Sequence, residues 1–108
     1  MCGISGFSLS SEMSFSKDNL IKIVNSMSHR GPDGYGVYED SNKKVSLFHT
    51  RLSIQDTSLL GHQPMLSNNK QIILVYNGEI YNFPELRSEL VAKGVKFNGH
   101  SDTEVLLN

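Results

Sequence analysis

The sequence predicts an α+β fold in which helices cover a mainly antiparallel sheet. Two observations carry this. Apolar or alternating runs that read as strands fill most of the first two thirds of the chain, and capped amphipathic segments stand before and after them. Two of the runs also flank a polar turn, "SNKK", which is a hairpin signal.

In order, "CGISGFSL" mixes small and apolar residues and reads as a strand whose glycines let another backbone approach closely. "SKDNLIKIVNSMSHRG" reads as a helix. Leu20, Ile23, Val24 and Met27 recur at i, i+3, i+4 and i+7, Ser16 is the expected N-cap, and Gly31 is expected to close the helix. "HRGPDGYG" is a Gly/Pro loop, and "YGVYED" and "KVSLFHT" form the hairpin. "RLSIQD" is extended, and "TSLLGHQPMLSNNK" reads as a long loop. "QIILVY" is expected to be a buried strand, followed by the turn "NG". "FPELRSELVAKG" is a second helix, with Asn82 at its cap, Pro84 in the first turn and Gly94 at the end. "VKF" reads as a short strand, and a last helix starts at about Thr103.

Composition narrows the function classes. The 108 residues are at most one domain by the usual prior of roughly 100–200 residues each. The formal charge of −1 offers no basic excess for phosphate backbones, which argues against nucleic acid. The N-terminal stretch lacks the positive and apolar regions of a signal peptide, its first lysine being Lys17. No run approaches the ~20 apolar residues of a membrane span. Cysteine, not glycine, follows the first methionine, so the myristoylation pattern fails. With one cysteine no internal disulfide can form, and a reducing cytosol fits. The end "SDTEVLLN" starts a helix strongly and then stops, so the chain is expected to be a fragment.

The only cysteine stands at position 2. It reads either as a small buried hydrophobe or as a reactive terminus. If Met1 is removed, one residue carries both a thiol and a free α-amine, which titrate at about 8.5 and 7.7–8.0. Nucleophile, base and acid then share a single residue, as in N-terminal threonine enzymes. Asn77–Gly78 is the strongest short signal for a type I′ hairpin. Alternatively, the Asn77 side-chain amide and the Gly78 N–H converge on a developing oxyanion. "SDTE" at Ser101–Glu104 is a capping box, bland as a surface cap. Functionally, Asp102 at a helix start stays ionised and can recognise an ammonium group. Arg51, after an apolar strand, reads either as an ordinary surface arginine or, in a cleft, as a guanidinium suited to gripping a carboxylate through two parallel hydrogen bonds.

The negatives are informative as well. "GPDGYG" has the wrong glycine order for a dinucleotide loop, and no phosphate-loop motif exists. His29, His49, His62 and His100 are scattered without ligand spacing, and one cysteine cannot complete a zinc set, so no metal is expected; a Cys–His dyad stays open with any of the four, and the sequence favours none.

Taken in order, "MCGISGF", "HRGPDGYG", "HTRLSIQD", "GHQPM", "YNGEIYNFPELRSEL" and "HSDTEVLL" resemble the class II glutamine amidotransferase domain, above all the N-terminal part of glutamine-hydrolysing asparagine synthetases. The resemblance covers essentially the whole chain. It implies the N-terminal nucleophile hydrolase fold, an αββα sandwich of which this segment is about the first half. It further implies Cys2 as nucleophile, with its α-amine as base, and Asn77 and Gly78 as oxyanion hole. Arg51 would bind the α-carboxylate of L-glutamine and Asp102 its α-amine. Leu52, Ser53, Ile54 and Gln55, with Glu79, would line the site. "RGPDG" and "GHQP" are family loops to which chemistry alone assigns no role. No cofactor is implied in this segment; ATP and Mg belong to a synthetase domain, the expected partner that consumes the ammonia. A homodimer is also admitted, as is a self-associating chain with an exposed apolar face. Two other readings stay open: a non-catalytic amino-acid-binding module, and an amidotransferase serving a sugar or cell-surface polymer.

Overall fold

Strand order places the longest strand at the centre of the main sheet. In this computed structural model, which describes residues 1–9, 16–40, 42, 44–53 and 58–108, the elements run β1 (Gly3–Ser8), α1 (Lys17–Ser26), β2 (Gly34–Glu39), β3 (Val45–Arg51), a 3₁₀ turn (Leu59–Gly61), β4 (Met65–Leu66), β5 (Ile73–Leu74), α2 (Phe83–Ala92) and α3 (Asp102–Leu107). β3 lies between β1 and β2 in a three-stranded sheet, antiparallel to both, while β4 and β5 form a separate antiparallel pair. The mixed helix-and-antiparallel-sheet architecture is the α+β class the sequence indicates.

Side chains alternate across a pleated strand, and β3 uses both faces. Thr50 pairs with Gly3 on β1 and Tyr35 on β2, and Phe48 pairs with Ser5 and Val37. This face meets α1. Leu20, Val24 and the fully buried Phe48 form the core, with Phe7, Ile23 and Met27 against it. The Phe7 and Phe48 rings lie 5.9 Å apart at a tilt of 36°. Each such burial contributes about 1.5–3 kcal/mol. Leu47, His49 and Arg51 alternate onto the opposite face.

Ser16 caps α1, accepting from Asn19 N–H at 3.3 Å. The helix ends earlier than its pattern suggests. Met27 is the C-cap, and residues 27–30 form turns before Gly31. Thr50 Oγ1 donates to Met27 O at 3.1 Å and ties this exit to β3. Gly31 itself serves proximity, because a Cβ there would collide with the Thr50 backbone. In the hairpin, Asp40 Oδ1 accepts from Lys44 N–H and Val45 N–H at 2.7 and 3.2 Å. Residues 41 and 43 of its turn lie outside the described residues.

Four expectations are corrected. The long loop before residue 70 contains β4, which pairs with β5. "QIILVY" is strand only at Ile73–Leu74, and Ile72 is exposed rather than buried. "VKF" is not a strand. It packs by side chains instead, with Arg87 lying 4.2 Å over the Phe97 ring. Asn77–Gly78 is not a hairpin either: no strand follows it, and a type I′ turn needs positive φ at both central residues, which neither has.

Candidate active site

The face of the sheet away from α1 is where the chain's chemistry gathers. A pocket of about 370 Å³ is lined by Cys2, His49, Arg51, Leu52 and Ser53 from the sheet side. Tyr76, Asn77, Gly78 and Glu79 line it from the following loop, and Ser101, Asp102 and Thr103 from the start of α3. Such a volume suits a small ligand.

Cys2 stands one residue before the paired Gly3, which turns its side chain to the same face as Arg51. Its sulfur accepts from Leu52 N–H at 3.3 Å and donates to Leu52 O at 3.6 Å. Arg30 Nε donates to Cys2 O at 3.3 Å. The first residues are therefore pinned to the sheet edge from two directions. The thiol is half-buried, and Met1 beside it is 73% exposed.

Arg51 is only 8% exposed, and its Nη1 donates to Ser58 O at 2.8 Å. Asp33, from "RGPDG", shapes the chain around it. Asp33 N–H donates to Arg51 O at 2.9 Å, and Asp33 Oδ2 accepts from Ser53 N–H at 2.8 Å. That loop thus fixes the strand end and the backbone beyond it.

Across the pocket, the capping box is not a surface cap. Ser101, Asp102, Thr103 and Glu104 are all buried. Ser101 Oγ accepts from Glu104 N–H at 3.2 Å, as a cap should. The Glu104 carboxylate does not reach back to the cap; it accepts from Asn98 and Gly99 N–H, both at 2.7 Å. Asp102 Oδ2 accepts from Ile80 N–H at 2.9 Å, linking α3 to the loop after Gly78. Gly78 itself faces the Tyr76 ring, and a Cβ there would come 2.5 Å from its hydroxyl.

His49 is 1% exposed, and neither ring nitrogen has a hydrogen-bond partner. Burial, then the neighbouring His62 and Arg51 charges, push its pKa down to about 4, and the nearby Tyr76 backbone offsets only part of this. It is neutral at pH 7. The Tyr76 hydroxyl is pushed above its usual range, first by burial and then by the Asp102, Glu79 and Tyr81 charges, so it stays protonated. Among the described residues no group of three or more His, Cys, Asp or Glu side chains is arranged to hold a metal ion.

Of the residues singled out in the sequence, Cys2, Arg51, Leu52, Ser53, Asn77, Gly78, Glu79 and Asp102 surround this one pocket. Ile54 and Gln55 lie outside the described residues. Sequence reasoning missed Gln63, Tyr76 and His49 as pocket residues. His49 was detectable, since it sits two residues before Arg51 on the same strand face. Gln63 carried only the unexplained "GHQP" signal.

This constellation can be set beside known proteins. The glutamine amidotransferase domain family matches residues 1–108. Asparagine synthetase [glutamine-hydrolyzing] 1 of Bacillus subtilis is 44% identical over 99% of this chain and 17% of its own length. Asparagine synthetase B of Escherichia coli is 38% identical over 99% of the chain and 19% of its own length. Amidase chry2 of Gibberella zeae is 35% identical over 99% and 17%. The chain thus spans less than a fifth of each of these relatives. With a family match from first residue to last, and a thiol, a guanidinium and a carboxylate facing one cavity, the chain belongs to the glutamine amidotransferase domain family.

Proposed function

We propose that the pocket hydrolyses the side-chain amide of free L-glutamine, releasing glutamate and ammonia, with the ammonia destined for asparagine synthesis. The observation that carries this is the convergence of Cys2, Arg51, Asp102 and the Asn77–Gly78 corner on one pocket of about 370 Å³. A free α-amino acid is a dipolar ligand. Arg51 complements its carboxylate, Asp102 its ammonium, and the side-chain amide is left pointing at the sulfur.

Removal of the exposed Met1 turns the Cys2 amide nitrogen into an α-amine. That amine takes the thiol proton, and the sulfur attacks the amide carbon. The oxyanion is held by the Asn77 side-chain N–H and the Gly78 N–H, each worth roughly 10²–10³ in rate. The amine returns the proton to departing ammonia, leaving a thioester that water cleaves to glutamate. Leu52, which brackets the sulfur, and Ser53, Ile54, Gln55 and Glu79 complete the site by this reading. Two charges at the α-carbon reject a glutamine side chain within a polypeptide.

On this reading the sheet β1–β3–β2, with α1 on one face, is one helix-and-sheet half of the αββα sandwich of N-terminal nucleophile hydrolases. We take the segment as the first part of such a domain, joined to an ATP- and Mg-using synthetase domain in a reducing cytosol. The test combines mass spectrometry of the N-terminus with a glutaminase assay. The expected result is a chain beginning at Cys2, and a Cys2→Ala protein with activity lowered by at least 10³-fold. Retained Met1 in a fully active enzyme overturns the mechanism.

A further inference from the structure

The "GHQP" segment takes no part in the mechanism above, yet its Gln63 is 6% exposed and bonded at both ends of its carboxamide. Tyr76 N–H donates to Gln63 Oε1 at 2.6 Å. Gln63 Nε2 donates to Thr103 Oγ1 at 3.3 Å, and the Thr103 hydroxyl donates onward to Asp102 Oδ1 at 3.4 Å. One side chain therefore spans two walls. Tyr76 immediately precedes the Asn77–Gly78 corner, and Thr103 immediately follows Asp102. The backbone of Gln63 is seated as firmly: its carbonyl occupies the space that a Cβ at Gly36 of β2 would fill. Gln63 thus refers both walls to the sheet that carries Cys2 and Arg51.

By the glutaminase reading, on which this inference rests, one wall holds the reacting carbonyl and the other the α-amine. Their separation is the length of the amino acid that fits. We propose that Gln63 is a positioning residue that fixes this separation and so selects L-glutamine over L-asparagine, its homologue one methylene shorter. A methylene is worth about 10–200-fold in discrimination when pocket walls hold their spacing. The Thr103 end of the bridge orients the amine site, and the Tyr76 end orients the oxyanion corner. Loss of each end has a different kinetic signature.

The test compares wild type with Thr103→Val and Gln63→Met, side chains of similar size. Thr103→Val breaks only the Asp102 end. It is expected to raise KM for glutamine about tenfold with kcat within about twofold. Gln63→Met breaks both ends, raising KM similarly and lowering kcat about tenfold. It also reduces the glutamine-to-asparagine ratio of kcat/KM at least tenfold. In the double variant the KM effects do not multiply, because both substitutions interrupt one chain of bonds. A folded Gln63→Met protein with wild-type selectivity overturns the proposal, as does a loss of activity that merely tracks a fall in Tm. Equilibrium binding of glutamine and asparagine to the Cys2→Ala protein, with and without Gln63→Met, separates the two readings. If wild type shows no glutaminase activity, the hydrolytic reading fails alone, and unchanged binding selectivity in Gln63→Met then overturns the role of Gln63.

Discussion

His49 records the conflict between a core position and a polar side chain. It alternates onto the pocket face of β3 and is buried there, with a partner at neither ring nitrogen. With its pKa at about 4 in the fold and 6.5 when unfolded, stability depends on pH with a defined sign. Above about pH 6.5 both states are neutral and the imidazole adds no pH-dependent term. Between 6.5 and 4 the unfolded chain takes up a proton that the folded chain refuses, so stability falls, by roughly tenfold in the folded-to-unfolded ratio per pH unit. Urea titrations at pH 7, 6 and 5 should show this slope, and His49→Gln should flatten it. Gly78 offers a second check. Gly78→Ala must displace the Tyr76 ring, which lies against the glycine. The expected outcome is a glutaminase kcat reduced about 10-fold or more with little change in Tm, read by steady-state kinetics beside calorimetry. At this scale the sequence was legible where a side chain's place follows from its immediate neighbours, as with Arg51, which ends an apolar strand and lines the pocket. It was silent on Gln63, whose partners lie 13 and 40 positions away.

Among the elements, α3 shows how a local signal can be right in kind and wrong in setting. Its capping box is visible as "SDTE", and the cap forms, but the whole turn is buried because Glu104 ties down the loop ahead of it. Glu104→Ala leaves two loop amides without their carboxylate, and should destabilise the protein by about 3 kcal/mol. The corresponding fall in Tm is about 10–20 °C by thermal unfolding. "QIILVY" misled for a related reason. An apolar run of five, Ile72 to Tyr76, fits a buried strand or any packed segment, and here only two residues find a partner strand. The Asn77–Gly78 pair shows local propensity overridden by tertiary bonds: Ile80 N–H goes to Asp102 instead of to a hairpin partner. By contrast α1, α2 and the β2–β3 pairing were legible as elements, since periodicity marks both helices and alternation marks both strands, although α1 stops at Ser26, short of Gly31. Gly36→Ala probes the contact between elements. Its methyl would collide with the Gln63 carbonyl and push the covering segment off β2. A loss of about 1–3 kcal/mol is expected, measured by denaturant unfolding.

For the molecule as a whole, one helix-covered core of Leu20, Val24 and Phe48 is set against large apolar side chains left in solvent. Ile4, Leu59, Leu60, Leu66 and Ile72 are all more than 40% exposed. Ile4, on β1, alternates onto the pocket face of the sheet, away from α1. Exposed apolar surface on this scale drives association. The 108-residue chain is expected to sediment with a concentration-dependent mass, and a monodisperse monomer at high concentration would contradict that. The class of the fold was legible because helix and strand periods segregate along the chain. The way its loops close over one side of the sheet was not, because that closure is written in contacts between distant segments.

The double use of β3 has a hereditary consequence. Phe48 and Thr50 belong to the core, while His49 and Arg51 belong to the pocket. Losing or gaining a single codon between Val45 and Phe48 would turn the aromatic ring toward the pocket and the guanidinium toward the oily side. Descendants of this gene can therefore drift by substitution along that strand but not by indel, and a lineage that abandons the chemistry must still keep its reading of two.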